Sequence, residues 1–272
     1  DKIIFFASNR EVDKKILSNE KFDVKFFKMA GFQRGKKITS ILKNIKNIFS
    51  ISNVFFKSFR IIKKNKIDHV IGFGGFITFP VLLAAKVAGV KTSVHEQNSF
   101  PGLVNRKMAK YVDNIFYTYD SSRKYFLGNE EKLIYSSNPR RDEAMEYVSN
   151  EKEDYYLFLG GSLGAEKINE LAKEFFEEFK IPTILVSGDS HITTNGEFKV
   201  YPFLDNQLEV MSKAKAIITR GGASTLVECE VLSKKTIVIP SPNVVADHQY
   251  FNGLEMDKKG GFKVIREEDV DA

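Results

Sequence analysis

Tyr155-Tyr156-Leu157-Phe158-Leu159-Gly160-Gly161-Ser162-Leu163-Gly164-Ala165 reads as a buried strand, a glycine turn and the start of a helix. An unbroken apolar run of this length suits a strand covered on both faces. The same order repeats along the chain. Strand-like runs at 3–7, 24–27, 69–72, 92–95, 114–118, 132–135, 155–159, 183–186, 199–201, 216–219, 236–239 and 262–264 alternate with helix-like runs at 12–19, 39–64, 80–88, 102–110, 144–148, 165–179, 205–214, 225–232 and 249–259. Repeated strand–helix order predicts an α/β protein with parallel sheets covered on both faces. Twelve strands exceed one comfortable sheet, and the polar stretch Ser149–Asp154 separates two groups of about six. The expectation is two doubly wound domains, 1–148 and 149–272, facing a cleft.

The chain has 272 residues, 43% of them hydrophobic, which excludes a disordered or collagen-like polymer. A single cysteine, Cys229, cannot make an intramolecular disulfide and fits a reducing compartment. The longest uncharged apolar-rich run, Val70 to Ala85, is shorter than the roughly 20 residues a membrane span needs. Residue 1 already falls inside a strand-like run, and Arg266 to Ala272 reads as the start of a helix, so the chain reads as a fragment.

Ligands of open parallel sheets sit at the carboxyl ends of strands, where a tight turn feeds a helix. Glycine there lets the backbone approach a phosphate, and the helix start offers N–H groups and partial positive charge. Three stretches fit: Gly72-Phe73-Gly74-Gly75-Phe76, the Gly160–Ala165 turn, and Arg220-Gly221-Gly222-Ala223-Ser224-Thr225 followed by Glu228. A carboxylate at Glu228 suits both hydroxyls of a ribose, or it serves only as a helix-dipole partner. The second turn also satisfies Gly-x-Ser-x-Gly, the nucleophile elbow of serine hydrolases. Ser162, with Asp189 or Asp205 and with His248, supplies the required order, so an α/β hydrolase is a rival reading. His95-Glu96-Gln97-Asn98 stands at another strand end and suits a sugar with several hydroxyls, or a loop with an Asx turn. Asn138-Pro139-Arg140-Arg141 follows a strand, where arginine suits a diphosphate, or forms a solvated basic loop. No His/Cys set has metal-ligand spacing and no Asp-x-Asp dyad stands at a strand end, so neither a metal nor a cofactor is expected.

Taken in order, these stretches, with Pro101-Gly102-Leu103-Val104-Asn105-Arg106 and Asp247-His248-Gln249 with Asn252, resemble the MurG family of peptidoglycan glycosyltransferases. The match runs essentially the whole length. The resemblance implies a GT-B fold of two Rossmann-like domains. It implies inverting, metal-independent transfer of N-acetylglucosamine from its UDP donor to lipid I, giving lipid II at the cytoplasmic face of the bacterial inner membrane. Asn98, Arg141, Ser162, Leu204, Ala223, Ser224, Thr225, Leu226, Val227, Glu228 and Gln249 would bind the donor. Glu228 would take the ribose, Leu204 the uracil, Ser162 and Arg141 the diphosphate, and Gln249 the sugar. His95 and Glu96 would be catalytic or catalytic-support residues; Gly74, Gly75, Phe76 and Asn105 would face the acceptor. The family's first strand, its Gly-Gly-x-Gly-Gly-His loop and a C-terminal helical part are expected outside these residues. A catalytically inactive nucleotide-sugar-binding fragment is therefore a further reading. Phe76, Leu163 and Gly222 depart from the family's usual Tyr, Gln and Ser.

The net charge of +6 is concentrated. Val24 to Ile67 holds twelve Lys and Arg and no Asp or Glu, whereas the other 228 residues hold 29 basic against 35 acidic ones. Within that segment Ile41, Ile45, Ile48, Phe55, Phe59 and Ile62 recur at helical spacing, widened by Leu42, Phe49 and Phe56. Lys43, Lys46 and Lys57 lie among them. Basic residues around an apolar face suit an anionic membrane surface. Nucleic acid is not expected, since no nucleic-acid motif accompanies the charge.

Overall fold

The computed structural model describes residues 2–17, 21–29, 38–149, 151, 153–161, 165–188 and 194–270; at 12, 15, 38–48 and 245 the backbone alone is described. The chain divides into two compact units. One comprises Asp1–Glu96, Pro101–Tyr117 and Ser122–Ser136, the other Gln97–Phe100, Thr118–Ser121 and Ser137–Ala272. This moves the expected boundary at 148/149 back to 136/137 and hands two short segments to the second unit. The reason is packing. Ala144 is fully buried in the second unit's core, and Ser99 bonds to Asn252 of that unit.

The first unit contains β1 (Ile4–Ser8), α1 (Glu11–Leu17), β2 (Asp23–Phe27), α2 (Ile38–Lys64), β3 (His69–Gly72), α3 (Thr78–Val87), β4 (Lys91–Glu96), α4 (Leu103–Met108), β5 (Asn114–Tyr117) and β6 (Leu133–Tyr135). Strands β3-β4-β5-β6 form one parallel sheet and β1-β2 a separate parallel pair. The expected single sheet of about six strands is thus two sheets among the described residues. They share a core instead of a ladder. Phe27 of β2, Val54 and Ile62 of α2, Val70 of β3 and Leu82 of α3 belong to one buried cluster. β4 is buried at five successive positions, as a strand covered on both faces must be. Asp113 joins β4 to β5: its carboxylate accepts the Thr92 N–H at 2.8 Å and the Thr92 hydroxyl at 2.9 Å and pairs with Lys86 at 2.8 Å. The Lys86 bond, then the two from Thr92, hold that carboxyl down at about 2.

The second unit contains α5 (Arg140–Met145), β7 (Tyr156–Leu159), α6 (Glu166–Phe179), β8 (Thr183–Val186), β9 (Phe198–Tyr201), α7 (Gln207–Lys213), β10 (Ala216–Thr219), α8 (Ala223–Val231), β11 (Lys235–Val238), α9 (His248–Asp257) and β12 (Phe262–Val264). All strand pairs are parallel, in the order β12-β11-β10-β7-β8-β9. Counted from β7, that is the 3-2-1-4-5-6 order of a dinucleotide-binding sheet, with its switch point between β7 and β10. Alternate residues feed opposite faces. Leu157 and Ile217 join one buried cluster, Phe158 and Ile218 another.

All twelve strands lie within one residue of their expected places. The helices lie within two residues of theirs, except α5, which begins at Arg140, four residues before the expected 144. Pro139, with φ −55°, is already set for helix and starts it, where the Asn-Pro-Arg-Arg stretch read as a loop.

Candidate functional site

The second unit's site lies at the carboxyl ends of β7 and β10. After β10, Arg220-Gly221-Gly222 turns into α8, whose first residue is Ala223. The amides of the first helical turn have no partner within a helix and carry partial positive charge. Leu226 and Val227 are buried in the core, and the Leu226 N–H is already bonded to the Gly222 carbonyl at 3.0 Å. Leu226 and Val227, expected among the donor-site residues, thus keep their side chains in the core, whereas Ser224 is exposed and Thr225 half-buried. Gly221 passes so close to α9 that an added Cβ would stand 2.1 Å from the Gln249 carbonyl oxygen.

One fully buried amide knits this site together. Asn252 Oδ1 accepts the Ser99 N–H at 2.8 Å and the Ser99 hydroxyl at 3.0 Å. Its Nδ2 donates to the Gly221 carbonyl and to Asn98 Oδ1, each at 3.1 Å. Asn98 is thereby brought to the third glycine turn, which sequence spacing does not reveal. Gln249 accepts the Ser241 N–H at 2.8 Å, fixing the loop that precedes α9. Ala246 and Asp247 in that loop are left-handed, with φ of 56° and 52°. Arg266 holds it, lying 3.4 Å from Asp247 and 3.8 Å above the Tyr250 ring. Leu204 is half-buried against the core. Ser162 lies outside the described residues, as do Leu163, Gly164 and Asp189.

Glu228, one turn further along α8, has a side chain only 4% exposed, and Arg140 Nε donates to its Oε1 at 2.6 Å. Burial pushes the carboxyl up, and the bond and charge of Arg140 pull it back in part. Arg140 also pairs with Glu143. Arg141, the arginine carried over from the family pattern, instead lies 3.9 Å from Glu230. Consecutive helix residues point about 100° apart, and the sequence does not say which of the two faces Glu228. Asn138 Oδ1 accepts the Arg140 N–H at 3.0 Å, and its Nδ2 reaches the Ser224 hydroxyl at 3.4 Å, tying this turn to the start of α8.

The first unit holds a second polar group by itself. Glu96 Oε2 accepts the Gly102 N–H and Asn105 Nδ2, both at 2.9 Å, and Asn105 Nδ2 also reaches the His95 carbonyl at 3.1 Å. His95 and Glu96 are both buried, and the His95 ring lies 5.6 Å from that of Phe73. Glu96 thus sets the start of α4. Gly74 and Gly75 have φ of 88° and 78°, open to glycine at no cost, and the Thr78 hydroxyl donates to the Gly74 carbonyl. Phe76 is exposed. Among the described residues no group of His, Cys, Asp and Glu is arranged to hold a metal ion.

The basic segment contains α2. Its expected single apolar stripe is two faces. Val54 and Ile62 are buried, whereas Phe49 and Phe56, seven residues apart and so on one side, are 74% and 61% exposed. Lys57 is exposed; the side chains of Ile41, Lys43, Ile45 and Lys46 lie outside the description. Among the described residues no helix is long and apolar enough to cross a membrane.

Residues 1–117 match the glycosyltransferase family 28 N-terminal domain and residues 156–272 its C-terminal domain. The "UDP-N-acetylglucosamine--N-acetylmuramyl-(pentapeptide) pyrophosphoryl-undecaprenol N-acetylglucosamine transferase" of Caldanaerobacter subterraneus subsp. tengcongensis is 30% identical over 99% of this chain and 79% of its own length. That of Alkaliphilus metalliredigens is 33% identical over 100% of this chain and 79% of its own length. The chain belongs to the MurG family. MurG of Acinetobacter baumannii shares the fold, with a TM-score of 0.69 at 22% identity over 98% of this chain and 78% of that one. The Staphylococcus aureus MnaA–UDP co-structure follows at 0.63 and 18% identity, over 99% and 86%. This chain is thus a GT-B glycosyltransferase, and nothing among its relatives supports the serine-hydrolase reading.

Proposed function

We propose that the chain transfers N-acetylglucosamine from UDP-N-acetylglucosamine to lipid I, forming lipid II. An acceptor hydroxyl attacks the anomeric carbon, the bond from that carbon to the diphosphate oxygen breaks, the hydroxyl proton passes to a general base, and UDP leaves with inversion. A positioned base is worth about 10²–10⁴-fold.

The observation that carries this reading is membership of the family together with the dinucleotide-type sheet of the second unit, whose switch point gathers the α8 start, Glu228, Asn98 and Gln249. The α8 amides and Arg141 would meet the charge growing on the leaving diphosphate. Ser162 would add to them. Glu228 would accept the ribose hydroxyls, Leu204 would flank the uracil and Gln249 would bind the sugar. Ala223, Ser224 and Thr225 would contribute through main chain and hydroxyls. His95, Glu96 and Asn105, with Gly74, Gly75 and Phe76, form the acceptor side, where Glu96 and Asn105 act through the geometry they impose. UDP-N-acetylglucosamine would be the donor substrate, not a cofactor. The segment around α2, with exposed Phe49 and Phe56 among lysines, would attach the protein peripherally to an anionic membrane at its cytoplasmic face, where a lipid-linked acceptor resides.

The test is transfer of labelled N-acetylglucosamine from the UDP donor to a lipid I analogue, with UDP binding followed by calorimetry. Glu228→Ala should weaken UDP binding more than Ser162→Ala does. The reverse order, or ester hydrolysis abolished by Ser162→Ala, would overturn the assignment.

A further inference from the structure

Arg140 has no role in the site as the family pattern describes it, yet the only ion pair of Glu228 among the described residues is with Arg140. We infer that Arg140 is a positioning residue for the ribose of the donor nucleotide: it grips Glu228 Oε1 and so orients the remaining carboxylate lone pairs toward the ribose hydroxyls. The inference rests on the ribose role proposed for Glu228.

Three observations support it. The contact is short, 2.6 Å, and charge-assisted, and the Glu228 side chain is 4% exposed against 39% for Arg140, so the guanidinium supplies what solvent does not. Arg140 is itself fixed, by Glu143 on one side and through the Asn138 turn that reaches Ser224 on the other. Neighbouring charges are engaged elsewhere: Arg141 and Lys259 lie against Glu230, and Lys258 pairs with Glu255. The charged groups set toward Glu228 are Arg140 and Glu143, both from α5. Cys229, next along α8, is pushed by burial up to about 12 and stays neutral. An ionised carboxylate accepts on both oxygens, whereas a protonated one must donate from one of them. Without Arg140, burial and the charge of Glu143 would govern Glu228, and its carboxyl would rise further.

The test is calorimetric binding of UDP and of its 2′,3′-dideoxy counterpart to the wild type, Arg140→Gln, Arg140→Lys and Glu228→Ala, from mildly acidic to mildly alkaline buffer. For Arg140→Gln, UDP binding should fall about tenfold or more at the acid end and recover at the alkaline end, since each unit between pKa and pH changes the ionised fraction by up to about tenfold. The dideoxy nucleotide should bind Arg140→Gln as it binds the wild type, and Arg140→Lys should restore part of the acid-end loss. Because both ligands meet the same protein sample, their ratio is insensitive to partial unfolding. An unchanged UDP profile in Arg140→Gln, or equal losses for both nucleotides, would overturn the inference while leaving the ribose reading intact. Unimpaired UDP binding by Glu228→Ala would instead overturn the ribose reading, and this inference with it.

Discussion

Gly221→Ala should damage this protein far more than the neighbouring Gly222→Ala. At 221 the new methyl would stand 2.1 Å from the Gln249 carbonyl oxygen, 2.7 Å from its carbon and 2.9 Å from its Cα. All three are backbone atoms of α9, so no side chain can swing aside. The helix must retreat by about 1 Å to restore ordinary contact, which as overpacking costs about 1–3 kcal/mol. Asn252 lies on the same helix and would move with it, stretching its bonds to Gly221, Asn98 and Ser99; losing one or two adds about 1 kcal/mol each. A total of about 3 kcal/mol lowers Tm by about 6–12 °C in a domain of 150–250 residues. At 222 the nearest atom to an added Cβ is Thr225 Oγ1 at 3.9 Å, and the backbone is extended with φ −68°, so alanine should shift Tm by no more than about 2 °C. Scanning calorimetry reads both, with the two units free to melt as separate transitions. If Gly221→Ala melts within about 2 °C of the parent, or if both variants fall equally, the close approach of α9 to this turn is not what fixes the site.

Other outcomes follow from particular contacts. Asn252→Ala strands the buried Ser99 N–H and Gly221 carbonyl and should cost about 2–4 kcal/mol in denaturant titration, weakening UDP binding in parallel; a loss under about 0.5 kcal/mol would mean the amide is dispensable. Asp113 has its folded carboxyl held at about 2 against an ordinary 3.8, so it stabilises fully above the unfolded value and that stability fades as pH falls through the folded one. With the side chain 38% exposed, screening reduces the effect to about 1 kcal/mol; Asp113→Asn should lose it at neutral pH, and acid unfolding curves that superimpose would contradict the assignment. Phe49→Ser with Phe56→Ser should release the protein from anionic vesicles, as should Lys43→Glu, Lys46→Glu and Lys57→Glu together, each lysine near a bilayer being worth about 1 kcal/mol. Sedimentation equal to wild type in both variants would refute the membrane role of α2.

The sequence by itself determined what local chemistry can determine. Unbroken apolar runs placed all twelve strands, glycine turns placed the strand ends where ligands gather, and the His95–Arg106 stretch carried the family. These signals are legible because each depends on residues a few positions apart. The tertiary structure alone decided who meets whom. It chose Arg140 over Arg141 as the partner of Glu228, set Asn252 against Asn98 and Ser99 more than 150 positions away, and gave Gln97–Phe100 to the second unit. It also divided the first six strands into a pair and a quartet, and turned Phe49 and Phe56 of α2 to solvent while burying Val54 and Ile62. Spacing fixes a strand to within a residue and most helices to within two. It does not fix which long-range neighbour fills the remaining space, because that choice belongs to the packing of the whole unit.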